Sequence, residues 1–172
     1  MKWVIFTGTW RLTNKELEND VRLAARHVFE RGDGLVTGGA TGADYFAMDE
    51  FTKLNPNCTR IRIFIPARLH HFISDYRKNW KQAPITDIDI DNLEYLLNLI
   101  KERNPSAIFE VRKDSGDILQ EEYDIRHNEE VTFSDEVYAF QVNNSTGTSD
   151  TIKKAKDAGL PITLHKTYSI PG

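Results

Sequence analysis

The sequence contains one cysteine, Cys58, two methionines, and no uninterrupted apolar run longer than four residues, as at Trp3 to Phe6 and Tyr45 to Met48. A lone cysteine excludes an internal disulfide, and without a second cysteine or a paired histidine motif no four-ligand structural zinc site can be assembled. Such cysteine usage fits a reducing compartment, so a cytoplasmic protein is expected. Four apolar residues fall far short of a bilayer span or a signal-peptide core, so no membrane association is expected. Also missing are G-K-S and G-K-T, which argues against a Walker-type ATPase, and H-E-x-x-H, which argues against a zinc hydrolase. His70, His71, His127 and His165 stand in no metal-ligand spacing, and no metal or cofactor is expected.

What is present fits one ordinary domain spanning residues 1–172, with 40% hydrophobic and 28% charged residues. A chain of this size buries roughly two-thirds of its unfolded surface and needs no staples. The net charge of −4 hides a segregation. Residues 60–81 carry six basic side chains (Arg60, Arg62, Arg68, Arg77, Lys78, Lys81) against Asp75, whereas residues 82–136 carry five basic and fifteen acidic ones. Either the basic stretch is a solvated face beside an acidic insertion, or it faces an anionic ligand or partner. The overall acidity argues against a protein whose whole surface grips nucleic acid.

The order of elements indicates the fold class. Trp3 to Phe6 reads as a buried strand running into Thr7-Gly8-Thr9. Thr13 as N-cap with Glu16 three residues later opens a helix carrying Leu17, Val21, Ala24, Ala25 and Val28 inward, closed by Gly32. Leu35 to Thr37 repeats the strand, Gly38 and Gly39 break it, and a helix follows with Ala43, Phe46, Ala47 and Phe51 inward. Arg60 to Pro66 is a third strand. Residues 69–81 read as an aromatic helix, Leu93, Leu96, Leu97 and Ile100 as a second amphipathic one, and Ala107 to Val111 as an extra strand. Glu136 to Val142 is a strand, Asn143 to Thr148 a loop, Asp150 to Ala158 a helix, and Pro161 to Leu164 the last strand. Strands alternating with helices predict an α/β, Rossmann-like, mostly parallel sheet flanked by helices, with an insertion at about 67–120 after the third strand.

In such a sheet ligands bind beyond the carboxyl ends of the strands. Three loops there are rich in Gly, Thr and Ser: Thr7 to Arg11, Gly38 to Asp44, and Asn144 to Asp150. Glycine admits close backbone approach, and the following helix offers free N–H groups and a positive dipole end, which suits a phosphate. The candidate ligand residues are Gly8, Thr9, Trp10, Arg11, Gly38, Gly39, Thr41, Gly42, Asp44, Ser145, Thr146, Gly147 and Thr148. Trp10 and Arg11 offer a stacking plane and a guanidinium. Asp44 is either a ligand contact or a helix-terminus stabiliser.

These residues resemble a known group. The strand followed by G-G-A-T-G-A-D (38–44), the earlier T-G-T-W-R (7–11), and S-T-G-T-S-D-T-I-K-K-A (145–155) followed by G-L-P-I (159–162) are similar to the SLOG superfamily, which includes lonely-guy phosphoribohydrolases, DNA-processing Smf proteins and stand-alone YpsA-like proteins. The YpsA-like subgroup is the best match. The resemblance implies nucleotide or nucleotide-derivative binding at these loops. In lonely-guy enzymes an arginine and a glutamate cleave an N-glycosidic bond. Arg126, in Arg126-His127-Asn128-Glu129-Glu130, resembles the arginine, and Asn128 is a further candidate contact. Thr151 holds the glutamate's place, with Asp150 one position early.

The expected function is therefore binding, sensing or sequestration of a nucleotide-derived ligand. A phosphoribohydrolase or deoxyribosyltransferase-like enzyme, with Arg126 and Asp150 or Asp44 as candidate catalytic groups, is the alternative. Threonine at 151 supplies neither charge nor base for it. A single-stranded DNA-associated protein using residues 60–81 is the third reading. The stripe Phe72, Tyr76, Trp80 is read as core or as the face of a homodimer.

Overall fold

A computed structural model describes all residues, 1–172. Six strands, β1 (Trp3–Gly8), β2 (Gly34–Thr37), β3 (Ile61–Ile65), β4 (Ile108–Glu110), β5 (Glu136–Val142) and β6 (Ile162–Tyr168), form one sheet in the order β4-β3-β2-β1-β5-β6. Every neighbouring pair is parallel. The helices are α1 (Lys15–Glu30), α2 (Ala43–Leu54), α3 (Leu69–Asp75), α4 (Asp87–Arg103), α5 (Gln120–Phe133) and α6 (Thr146–Asp157). This is an α/β, Rossmann-like architecture. No helix is long and apolar enough to cross a membrane.

Alternation along the strands divides the core into two unequal layers. Val4, Phe6, Leu35, Ile61, Ile63 and Ile65 point to one face, where α1, α2, α3 and α4 add half of a 34-residue cluster. Ile5, Val36, Phe64 and Val137 point to the other, where Ala155 of α6 and Val131 of α5 cover a smaller patch. The chain changes faces after β4, so the loops after β1 and β5 leave the sheet in opposite directions and open a crevice between neighbouring strands.

Local chemistry explains most elements. The five apolar positions of α1 are all buried, as their spacing predicts. Its N-cap is Asn14 rather than Thr13: Asn14 is extended (φ −144°), and its side chain accepts from Leu17 N at 2.8 Å. Segment 67–120 holds α3, a π-helical turn at Tyr76–Trp80, α4 and the edge strand β4, so part of it completes the sheet. The stripe Phe72, Tyr76, Trp80 turns inward instead of forming an outer face: Phe72 and Tyr76 are buried, and Trp80 packs on Trp10 and Tyr123. Helix α6 begins at Thr146 rather than Asp150, so half of the expected loop is its first turn, and β6 runs on to Tyr168.

The charge segregation is resolved within the chain. Arg60 donates to the carbonyls of Phe29 and Asp33 and lies over the Phe29 ring; Arg62 lies over Trp3. Arg68 pairs with Asp114, Arg77 with Asp91 and Glu94, and Lys81 with Asp87. The basic stretch meets the acidic one, and among its six cations only Lys78 has no partner.

Candidate functional site

A cleft of about 700 Å³ opens at the carboxyl edge of the sheet where β1 and β5 lie side by side. Its walls come from the loop after β1, the loop after β2, the π-helical turn, α5 and the first turns of α6. Three chemically distinct regions line it.

The first is the amino end of α6. Asn143 and Asn144 both take left-handed backbone (φ 51° and 53°), which asparagine tolerates better than most residues, and turn the chain from β5 into the helix. Asn143 is held by the tail, its side chain donating to the Ile170 carbonyl and accepting from the Ile170 N–H. Gln141 Nε2 donates to the Ser145 carbonyl and to Ser149 Oγ. The amides of Thr146, Gly147 and Thr148, in the first turn, have no carbonyl partner inside the helix. Ser145 Oγ donates to Thr148 Oγ1 at 3.1 Å. Ser145, Gly147 and Thr148 line the cleft.

The second region is aromatic. Trp10 meets Trp80 edge-on at 5.0 Å, Tyr76 stacks on Trp80 at 5.9 Å, and Tyr123 lies 6.1 Å from Trp80. All four line the cleft, as does Ile118. Planar apolar surface of this kind suits a stacked ring.

The third region is a polar well between α5 and α6, reached by Thr7, Arg126, His127, Glu130, Thr151 and Lys154. Arg126 Nη1 donates to the carbonyls of Gly38 (2.8 Å) and Phe64 (3.3 Å). Glu130, one turn later, is only 4% exposed, and burial pushes its carboxyl up to about 7 despite the opposing Arg126 charge. His127 is driven down to about 3, first by burial and then by Arg126 and Lys154, so it is a neutral imidazole. Its Nδ1 lies 3.4 Å from Lys154 Nζ, which also reaches Asp124 at 3.3 Å. Carboxyls displaced toward neutrality in a cleft mark candidate functional groups.

The loop after β2 behaves differently from an open phosphate cradle. Asp44 accepts from Gly38 N and Ala40 N, both at 3.2 Å, so its own carboxylate fills the nest. Burial raises the Asp44 carboxyl to about 6 against these bonds and the Arg126 charge. Three further amides are engaged: Gly39 N with Thr37 Oγ1, Thr41 N with Tyr76 Oη, and Ala43 N with the Thr9 carbonyl. Thr41 Oγ1 donates to the Trp10 carbonyl at 2.7 Å. Gly42, at φ +79°, is required because a Cβ there would strike the Thr9 carbonyl oxygen. This loop stitches the β1 and β2 ends together.

Of the residues singled out in sequence, Gly8, Thr9, Trp10, Arg11, Gly38, Asp44, Arg126, Ser145, Gly147, Thr148 and Asp150 meet in the cleft. Gly39, Thr41 and Gly42 lie behind its wall, and Asn128 and Thr146 are exposed outside it. Arg11 Nη1 is bonded to the Ala83 carbonyl at 2.7 Å. Asp150 is exposed on α6, and Thr151 Oγ1 donates to the Gly147 carbonyl. Sequence reasoning missed Tyr123, His127, Glu130 and Lys154 as cleft residues. Only the four-residue spacing of Arg126 and Glu130 was a usable signal, because it puts both on one helix face.

No protein-family model matches the chain, and a search of curated proteins finds none similar to it. Solved structures do share its fold. DNA processing protein A from Helicobacter pylori, described for its single-stranded DNA binding mode, aligns over 99% of this chain and 66% of its own, with 17% identity and a TM-score of 0.65. TM1055, a structural-genomics target solved by X-ray, aligns over 96% of this chain and 77% of its own, with 15% identity and a TM-score of 0.56. At these identities the likeness concerns the fold.

Proposed function

We propose that this chain binds a nucleotide or nucleotide-derived ligand in the cleft, as a sensing or sequestering module. The observation that carries the reading is the joint exposure of two complementary surfaces to one cavity: the unpaired amides of the α6 amino end and the aromatic wall of Trp10, Trp80 and Tyr123. A phosphate belongs at the former, where amides and helix dipole favour an anion, and Lys154, about two turns further along α6, adds a cation to the same cleft. A base belongs at the latter. The phosphate contacts are narrowed to Ser145, Gly147 and Thr148, since the Asp44 carboxylate already occupies the nest of the β2 loop.

Thermal-shift screening against ribonucleoside mono- and diphosphates tests this, because a ligand that binds only the folded state raises the melting temperature. A shift with nucleotides that is lost in Gly147→Val supports the reading; no shift with any nucleotide removes it.

The fold likeness to a single-stranded DNA-binding protein raises a second reading, in which nucleic acid runs across the cleft mouth. The basic stretch 60–81 does not favour it, since five of its six cations are engaged within the chain. Oligonucleotide affinity that falls steeply with salt would restore it.

A further inference from the structure

Glu130 is anomalous for a buried residue. The residue is only 4% exposed, yet no protein group donates a hydrogen bond to its carboxyl; the only side-chain bond it receives is Ser134 Oγ donating to its backbone carbonyl. The obvious partner, Arg126, is one turn away on the same face of α5, but no ion pair forms between them. Arg126 instead spends Nη1 on the Gly38 and Phe64 carbonyls, and its Nε is buried without a partner. A nearly buried carboxyl with no donor from the protein costs stability unless a group entering the cleft, which Glu130 lines, supplies one.

The surroundings define what could complete it. The well holds a carboxyl acceptor in Glu130, a guanidinium in Arg126, an ammonium in Lys154, and the hydroxyls of Thr7 and Thr151. A cationic ligand group is opposed by Arg126 and Lys154; an anionic one is opposed by Glu130 and Asp44. A flat aromatic group has its own wall elsewhere in the cleft. A neutral group carrying adjacent donors and acceptors satisfies the whole set, and a vicinal diol is the simplest such group.

We propose that Glu130 is the sugar-recognising residue of this cleft, its carboxyl accepting hydrogen bonds from the vicinal hydroxyls of a ribose whose phosphate rests on the α6 amino end. This rests on the nucleotide reading and adds the ligand class: a ribonucleotide in preference to its deoxy counterpart. Arg126, fixed by Gly38 and Phe64, holds a positive charge beside the carboxyl and donates to the ribose oxygens from the opposite side.

The test is calorimetry with the four ribonucleoside 5′-monophosphates, their 2′-deoxy counterparts, and ribose 5-phosphate, on the wild-type chain and on Glu130→Leu and Glu130→Gln. Loss of a bonded hydroxyl that leaves buried polar groups unpaired weakens binding by about tenfold or more. The wild type is expected to prefer the ribo form by at least that factor. Glu130→Leu is expected to melt no lower than wild type without ligand and to bind ribo and deoxy forms equally. Should Glu130→Leu fail to fold, Glu130→Gln carries the same measurement, with a reduced ribo preference. If the wild type binds ribo and deoxy forms equally, or the variants keep its preference, the sugar assignment is overturned while the nucleotide reading stands. If no sugar phosphate binds at all, both are overturned.

Discussion

Gly38 and Arg126 are fitted to one another: Arg126 Nη1 donates to the Gly38 carbonyl at 2.8 Å, and a Cβ on Gly38 would collide with that same nitrogen. The glycine after β2, read in sequence as phosphate-binding, is thus the seat of an arginine from a helix 88 residues further along the chain.

Gly38→Ala is expected to cost roughly 1–3 kcal/mol, the usual scale for forcing a group into packed surroundings. It should also displace Arg126 from the well. Denaturant unfolding checks the first effect, and nucleotide affinity the second; wild-type values for both would show that the fit is loose.

Asp44→Ala should destabilise by about 1–3 kcal/mol, because it strips the partner from the buried Gly38 amide and the part-buried Ala40 amide. Asp44→Asn keeps an acceptor and should cost less. The order Ala worse than Asn, read from urea midpoints at constant slope, marks the carboxylate as structural.

Glu130 and His127 should give stability profiles of opposite slope. The folded pKa of Glu130 is raised from 4.5 to about 7, so the folded state binds the extra proton between these values and stability falls as pH rises through them. The penalty is fully present above about pH 7 and amounts to about 3 kcal/mol at most. Glu130→Gln should therefore gain on wild type as pH rises from 4.5 to 7, with Arg126 and Asp44 as the facing charges. His127 is lowered from 6.5 to about 3, so its contribution is present above pH 6.5 and lost as pH falls toward 3. His127→Gln should lose least, relative to wild type, at the acid end. Melting temperatures across pH 4 to 8 decide both.

Arg77→Ala and Lys81→Ala should leave nucleotide binding unchanged and cost no more than about 1 kcal/mol of stability, since their ion pairs lie at the surface. A salt-sensitive loss of oligonucleotide binding in these variants would instead identify residues 60–81 as a nucleic-acid surface.

Legibility followed periodicity. The inward positions of α1 and the run Glu136–Val142 were plain because apolar residues recur at helical spacing or fill a buried strand. Helix α5 was not, because its two most buried residues are Glu122 and Glu130 while the apolar Ile125 and Phe133 stay more than a third exposed, which blurs the usual pattern. The end of β6 was hidden in the same way, since Thr163, His165, Lys166 and Thr167 are exposed at the sheet edge. The glycine loops announced the crevice, but not that Asp44 fills one of them. The well needs α5 and α6 brought together across the sheet, and no local pattern contains that.

Gly147 offers the most direct test of the cleft's identity. A Cβ there meets nothing within 4 Å, so the fold does not demand glycine, yet its amide belongs to the open α6 amino end. Titrating ribonucleoside 5′-monophosphates into wild type and Gly147→Val by calorimetry, with melting temperatures measured alongside, should give binding to wild type, at least about tenfold weaker binding to the variant, and stability within about 1 kcal/mol of wild type. A variant that binds as tightly as wild type, or a wild type that binds none of these nucleotides, would contradict it.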